Sequence, residues 1–388
     1  MARLAYIGWM KMKYWLICLI RLAMKGFYIF PVKKNRIYFS ADRGTAISCN
    51  PKYIFQYMKN QFPGKYEYIW EYDKDAYEGV SDVTIVRPHT LKANYFMLTS
   101  KVIISNDGLG SYIPKRKNQC FINTWHGGGA YKKVGGDTIA DPKSAEVKIN
   151  KLCGSQTDIF ISSSRKFTEV MSEAKKISHS HFMECGMPRN DFLINGTDED
   201  VNGKVKAYFG IPKDKKMVLF APTYRGVEGK ANCDMEINVK SCLEALQKRF
   251  GGEWVFLMRK HHFVKEMNNQ GCLDASTYPD MQELLYAVDV FMTDYSSTIW
   301  DYSLMDKPGF LFVPDLEEYT RDRSFYTDPE TWAFPLAKSN EELEQEILNY
   351  DSEKSREKIE AHHKYLVNKE TGKATSIIAD YIVKKCSE

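Results

Sequence analysis

Ser296, Ser297 and Thr298 stand together between an apolar run, residues 290–293, and an apolar, helix-like stretch that begins at Ile299. A helix start exposes unpaired N–H groups and the positive end of the helix dipole. Hydroxyl side chains there either cap the helix or hold a phosphate. A second reactive group lies in Asn123-Thr124-Trp125-His126-Gly127-Gly128-Gly129. Histidine takes up a proton near neutral pH, and glycines let backbone N–H groups approach a ligand. A histidine before a turn can also be purely structural; three glycines beside it tilt the reading toward function, and Lys132 and Lys133 follow as possible anion contacts.

Further cations recur where apolar runs end. Phe220-Ala221-Pro222-Thr223-Tyr224-Arg225 stops a strand at Pro222 and places Thr223 and Arg225 in a loop. Residues 254–258 run into Arg259, Lys260, His261 and His262. Guanidinium and imidazole groups at a strand end suit an anionic ligand. Adjacent histidines diverge and no carboxylate cluster is near, so a metal site is not expected. Pro188-Arg189-Asn190-Asp191 reads as a turn in which Arg189 holds a phosphate or, more simply, pairs with Asp191. Together these groups describe phosphate recognition plus a general base. The sequence holds no Gly-x-x-x-x-Gly-Lys-[Ser/Thr] loop and no Gly-x-Gly-x-x-Gly fingerprint, which disfavours ATPase and nicotinamide chemistry.

The elements that must position these residues follow an α/β rhythm. Candidate strands lie at 37–40, 66–70, 83–87, 102–105, 120–124, 159–162 and 182–185, and then at 217–221, 254–258, 290–293 and 310–313. Strands separated by helical stretches imply parallel sheets. A polar stretch, 195–203, divides the series, so two Rossmann-like domains are expected at 35–195 and 204–388, facing a ligand cleft. The C-terminal helices are placed in the second domain. At 388 residues two domains are the default. Net charge is +4, too small to argue for nucleic acid. Nine cysteines without a Cys-x-x-Cys pair read as reduced thiols.

Residues 1–34 differ from the rest. Eight Lys and Arg precede the first acidic residue, Asp42. On a helical wheel Arg3, Lys11, Lys13, Arg21 and Lys25 fall within roughly 160°. Leu4, Ile7, Tyr14, Leu16, Ile17 and Leu22 lie opposite, with Trp9 and Trp15 nearby. The uninterrupted apolar run is too short to span a bilayer. An amphipathic helix lying on an anionic membrane surface is expected.

The ordered motifs Trp-His-Gly, Pro-Arg-Asn-Asp, Ala-Pro-Thr-Tyr-Arg, Arg-Lys-His and Thr-Asp-Tyr-Ser-Ser-x-x-x-Asp are followed by Asp306-Lys307-Pro308, 315–319 and Arg323-Ser324-Phe325-Tyr326-Thr327-Asp328. This set, spanning about residues 36–330, resembles the CDP-glycerol glycerophosphotransferase family of bacterial teichoic acid synthesis. The resemblance implies a GT-B-type fold and a CDP-alditol donor; no cofactor or metal is expected. It also implies a polyprenyl-diphosphate-linked saccharide acceptor at the cytoplasmic face of the cell membrane, with the enzyme peripheral. A homo-oligomer is left open. Carried over, His126 is the base, and the acceptor hydroxyl attacks the β-phosphate of the donor and expels CMP. Arg259, His261, Ser296 and Ser297 bind the pyrophosphate; Pro222, Thr223 and Arg189 line the donor site, and Arg225 and Lys260 are counted with the donor-binding residues. Asp301 faces the donor polyol or orients its motif, and Arg323 is a further phosphate ligand. The family's His-Gly-Thr-Pro-Leu-Lys reads His-Gly-Gly-Gly-Ala-Tyr-Lys here, so glycerol and ribitol donors both stay open. The fold is also that of nucleotide-sugar transferases, and a non-catalytic adaptor is the remaining alternative. The lack of a large extra domain favours priming or short extension.

Overall fold

The computed structural model describes residues 2–74, 82–139, 141, 144–223, 225, 237–260 and 271–388. The chain forms two compact units. The first comprises Met1–His126, Val134–Asp191 and Lys369–Glu388; the second comprises Gly127–Lys133 and Phe192–Asn368.

The first unit is built on seven strands: β1 (Lys33–Ser40), β2 (Glu67–Glu71), β3 (Thr84–Val86), β4 (Ser100–Ser105), β5 (Cys120–Asn123), β6 (Ile159–Ser162) and β7 (Phe182–Glu184). They lie in the order β3-β2-β1-β4-β5-β6-β7, every pair parallel. Parallel sheets bury both faces, and β1 shows why. Ile37 and Phe39 pack with Trp70 and Ile104 on one side, while Tyr38 packs with Ile69 and Phe121 on the other.

The second unit holds β8 (Lys216–Phe220), β9 (Trp254–Met258), β10 (Leu273–Asp274), β11 (Val290–Thr293), β12 (Gly309–Phe312) and β13 (Leu336–Ala337). Their order is β10-β9-β8-β11-β12-β13, again parallel throughout. Both sheets therefore share the doubly wound 3-2-1-4-5-6 order. Strand order reverses between β1 and β4 in one unit and between β8 and β11 in the other. In such sheets ligands bind beyond the carboxyl ends of the strands at that reversal.

All eleven strands expected from the apolar runs are present within one to a few residues. The edge strands β10 and β13 were not expected; two residues each are too few to show a pattern. The closing helix Ala374–Ser387, placed above with the second domain, belongs to the first unit. Its Ile378, Ala379 and Ile382 join the core beside Ile104 and Phe160. Asp191 caps it, its carboxylate accepting from Ala374 N (3.0 Å) and Thr375 N (2.7 Å). Helical periodicity names an apolar face but not the sheet that receives it.

The N-terminal helix, Ala2–Met24, buries the stripe Met10, Ile17 and Met24. Arg21 was expected on the outer basic arc. Its Nη1 instead donates to the carbonyls of Ser111 (2.9 Å) and Ile113 (2.6 Å), because its long stem reaches the unsatisfied carbonyls of that loop. Ile17, expected to share a face with Leu16 and Leu22, turns inward, while Trp15, Leu16, Leu19 and Leu22 stay exposed. Among the described residues no helix is long and apolar enough to cross a membrane.

Candidate functional site

In the first unit the turn after β5 carries His126. Trp125 adopts a φ of +51°, and its N–H donates to Asn123 Oδ1 (3.0 Å). That turn stacks the Trp125 and His126 rings, with centroids 4.3 Å apart. His126 Nδ1 lies 3.0 Å from the Asn106 carbonyl oxygen and 3.9 Å from Asp107 Oδ1. A carbonyl only accepts, so Nδ1 carries the hydrogen and Nε2 keeps its lone pair. The side chain is 45% exposed. Crowding by surrounding protein holds its pKa below the ordinary histidine value, with Asp107 opposing, so the ring is neutral near pH 7.

Arg189 braces this turn. Its Nη1 donates to the His126 carbonyl (2.8 Å) and lies 3.1 Å from Cys49 Sγ, while its N–H donates to Asn50 Oδ1 (3.1 Å). Asn50 Nδ2 in turn donates to the carbonyls of Thr124 (3.1 Å) and Trp125 (2.9 Å). The simpler sequence reading, a pair with Asp191, gives way because both Asp191 oxygens cap the closing helix.

In the second unit the loops after β8 and β11 flank the strand-order reversal and are cross-braced. Asp294, fully buried, accepts from Thr223 N (2.9 Å), Thr223 Oγ1 (2.8 Å) and Arg225 Nη1 (2.8 Å). Arg225 Nε donates to Asp315 Oδ2 (2.5 Å) and Nη2 to Asp315 Oδ1 (3.0 Å). Burial opposes its charge, but Asp315 and Asp294 outweigh it and raise its pKa. Arg225 is thus a strut between two carboxylates. Pro222 is buried beside it.

After β9, Arg259 Nη1 donates to the carbonyls of Ala275 (3.0 Å) and Tyr278 (2.7 Å), and burial lowers its pKa. Lys260 pairs with Asp274 (2.9 Å). His261 lies outside the described residues. Ser296 Oγ accepts from Thr298 N (3.3 Å) and Thr298 Oγ1 (2.9 Å), the local cap. Ser297 makes no side-chain cap bond to the short helix Thr298–Tyr302, leaving its hydroxyl the less committed of the two. Asp301, 1% exposed, accepts from Gln282 Nε2 (3.1 Å) and so faces the unit's interior. Arg323 ends the helix Leu316–Arg323 at the surface.

The glycine loop serves packing. A Cβ on Gly128 would lie 2.0 Å from Trp300 Cδ1; one on Gly129, whose φ is +68°, would lie 2.4 Å from Tyr131 Cε2. The following residues zip onto another segment of the unit. Tyr326 N donates to Tyr131 O (2.7 Å), Lys133 N to Ser324 O (3.3 Å) and Thr327 Oγ1 to Ala130 O (3.0 Å). This seam fixes Lys132, whose pKa burial lowers to about 8; Asp294 opposes, and Arg323 and Arg225 lower it further.

The structure therefore brings Pro222, Thr223, Arg225, Ser296 and Ser297 to one strand-order reversal. It keeps His126 and Arg189 together in the other unit. Sequence reasoning did not select Asp42, Asn106 and Asp107, although they stand within two residues of the ends of β1 and β4, where a strand-end search finds them.

Over residues 22–384 the chain matches the family described as CDP-Glycerol:Poly(glycerophosphate) glycerophosphotransferase. It is 31% identical to a teichoic acid poly(glycerol phosphate) polymerase of Bacillus spizizenii, over 96% of this chain and 98% of that protein. It is 32% identical to the polymerase of that name from Bacillus subtilis over 83% of this chain, but spans only 45% of that longer protein. In three dimensions it is similar to the solved wall teichoic acid polymerase TagF, with a TM-score of 0.82 and 26% identity over 99% of this chain and 98% of that one. A TagF variant soaked with CDPG superposes with a TM-score of 0.81 at 26% identity over the same shares. With the match running through nearly every element described above, the chain belongs to the CDP-glycerol:poly(glycerophosphate) glycerophosphotransferase family.

Proposed function

We propose that the protein transfers glycerol phosphate from CDP-glycerol to a hydroxyl of a lipid-linked saccharide or polyol-phosphate acceptor in teichoic acid synthesis, releasing CMP. The observation that carries the chemical reading is the His126 tautomer: Nδ1–H is tied to the Asn106 carbonyl, and a neutral Nε2 is left in a half-exposed ring. Nε2 takes the proton of the acceptor hydroxyl. The acceptor oxygen forms a bond to the β-phosphorus, the one bearing glycerol, and the bond from that phosphorus to the oxygen bridging to the α-phosphate breaks. CMP leaves with the electron pair.

The donor's pyrophosphate falls to the second unit. Ser297 and Lys132 are the groups best suited to meet it, with Ser296, Arg259, Lys260 and Arg323 as further candidates; His261, which lies outside the described residues, is a candidate from the sequence alone. Thr223, Arg225 and Asp301 position those groups through Asp294, Asp315 and Gln282. The two Rossmann-like sheets are read as the halves of a GT-B transferase, and the exposed face of the N-terminal helix as the part that meets the cytoplasmic leaflet. Support for glycerol as the polyol comes from the glycerol-phosphate names of the relatives reported above.

The test is nucleotide release across CDP-glycerol, CDP-ribitol and UDP-sugars with a lipid-linked acceptor. CMP release from CDP-glycerol that falls by roughly 10²–10⁴ in His126→Ala is expected, the range a positioned general base contributes. Full transfer by His126→Ala would remove the assignment of the base, and release from a UDP-sugar alone would remove the donor.

A further inference from the structure

We propose that Asp42 and Asn106 are positioning residues for the transfer, forming a clamp that holds His126 in its Nδ1–H tautomer; the proposal rests on the reading of His126 as base. The clamp crosses the strand-order reversal of the first unit. Asp42 stands two residues past the end of β1, and Asn106 follows β4 directly. Asp42 N–H donates to Asn106 Oδ1 (2.8 Å), and Asn106 Nδ2 donates back to Asp42 Oδ1 (2.9 Å). Ser48 Oγ donates to the other carboxylate oxygen, Oδ2 (2.5 Å). Asn106 is fully buried, so its amide cannot exchange these bonds for water without cost. Its own carbonyl is the acceptor for His126 Nδ1–H.

The backbone around the clamp is strained. Asp42 and Arg43 hold φ values of +50° and +57°, and Trp125, beside His126, holds +51°. Left-handed residues other than glycine persist only where their surroundings over-determine them, and they gather at functional sites. Here three of them flank one histidine from two strand ends. The side-chain exchange between Asp42 and Asn106 ties the ends of β1 and β4 together at fixed height. The Asn106 carbonyl is thereby aimed at the His126 ring rather than left to solvent. Free imidazole has no such partner at Nδ1, so its tautomer is set by surroundings alone. A base whose proton sits on Nε2 has no lone pair to offer there, and transfer from the acceptor hydroxyl stops.

The test uses the full chain labelled with nitrogen-15 histidine. The nitrogen shifts of His126, assigned by their loss in His126→Ala, report which ring nitrogen carries the hydrogen. Wild type is expected to show the Nδ1–H form. Asp42→Asn, which keeps shape, and Asn106→Ala are expected to shift His126 toward Nε2–H. Both should lower kcat roughly 10- to 100-fold, less than or at most equal to the low end of what loss of the base itself would cost, with the KM for CDP-glycerol changed less than about threefold. Thermal melts identify a variant that has merely unfolded, and Asp42→Asn then decides. The Nδ1–H tautomer kept in folded Asp42→Asn, with wild-type kcat, would overturn the clamp while leaving His126 as base. Full activity of His126→Ala would overturn the reading beneath it.

Discussion

The Arg225 guanidinium lies 5.1 Å from the Tyr295 ring and 4.8 Å from the Tyr319 ring, with two carboxylates on its hydrogens. An arginine so enclosed is a weak candidate for a substrate's phosphate, because a ligand would have to displace partners already charged and aligned. Lys132 is the contrasting case. It is held at about 8 by burial, with Asp294 opposing and with Arg225 and Arg323 nearby. A lysine of that pKa is charged below pH 8 and neutral above it. CDP affinity measured by calorimetry should therefore weaken as pH rises from 7 to 9, and Lys132→Met should bind CDP more weakly at pH 7 and lose that dependence. A Lys132→Met protein with wild-type affinity and an unchanged pH response would take Lys132 out of the donor site. At this scale the sequence showed which residue types gather, not which of them are already committed. Arg225, Arg259 and Lys132 look alike in a string; only the folded loops tell the struts from the lysine that forms no carboxylate ion pair among the described residues.

Elements explain the glycines. Gly128 packs where the Trp300 ring leaves no room for a methyl group, so the loop after His126 is fixed against the helix Thr298–Tyr302 by the absence of a side chain. Gly128→Ala should destabilise the second unit by about 1–3 kcal/mol, the usual cost of overpacking, and lower its urea midpoint. An unchanged midpoint would mean that the loop moves aside freely. The strands were legible because parallel sheets bury short apolar runs on both faces, as Val218, Leu219 and Phe220 do in β8. The two-residue edges and the Asp42–Asn106 exchange were not legible. The first lack a period, and the second joins residues 64 apart in sequence that only the parallel pairing of β1 with β4 brings together.

For the molecule as a whole, the N-terminal helix is part of the first unit. Arg21 and the Met10–Ile17–Met24 stripe hold it down, while Trp15 (68% exposed), Leu19 (63%) and Leu22 (65%) point away. An exposed apolar row flanked by Lys11, Lys13 and Lys25 suits an anionic bilayer surface. Trp15→Glu with Leu19→Glu should abolish sedimentation with anionic vesicles and leave CMP release in the presence of a water-soluble acceptor intact. Undiminished sedimentation would exclude this face as the anchor. The Asp191 cap on the helix Ala374–Ser387 has a consequence in time. Residues 369–388, which complete the core of the first unit, are synthesised after the entire second unit. Domains usually fold in order as they leave the ribosome, the N-terminal one first. Here the first sheet emerges early with the part of its core that Ile378, Ala379 and Ile382 fill still uncovered, and it stays so until residues 369–388 are made. The second unit is thus the first that can close, and the first unit, although it begins the chain, is the last to be completed.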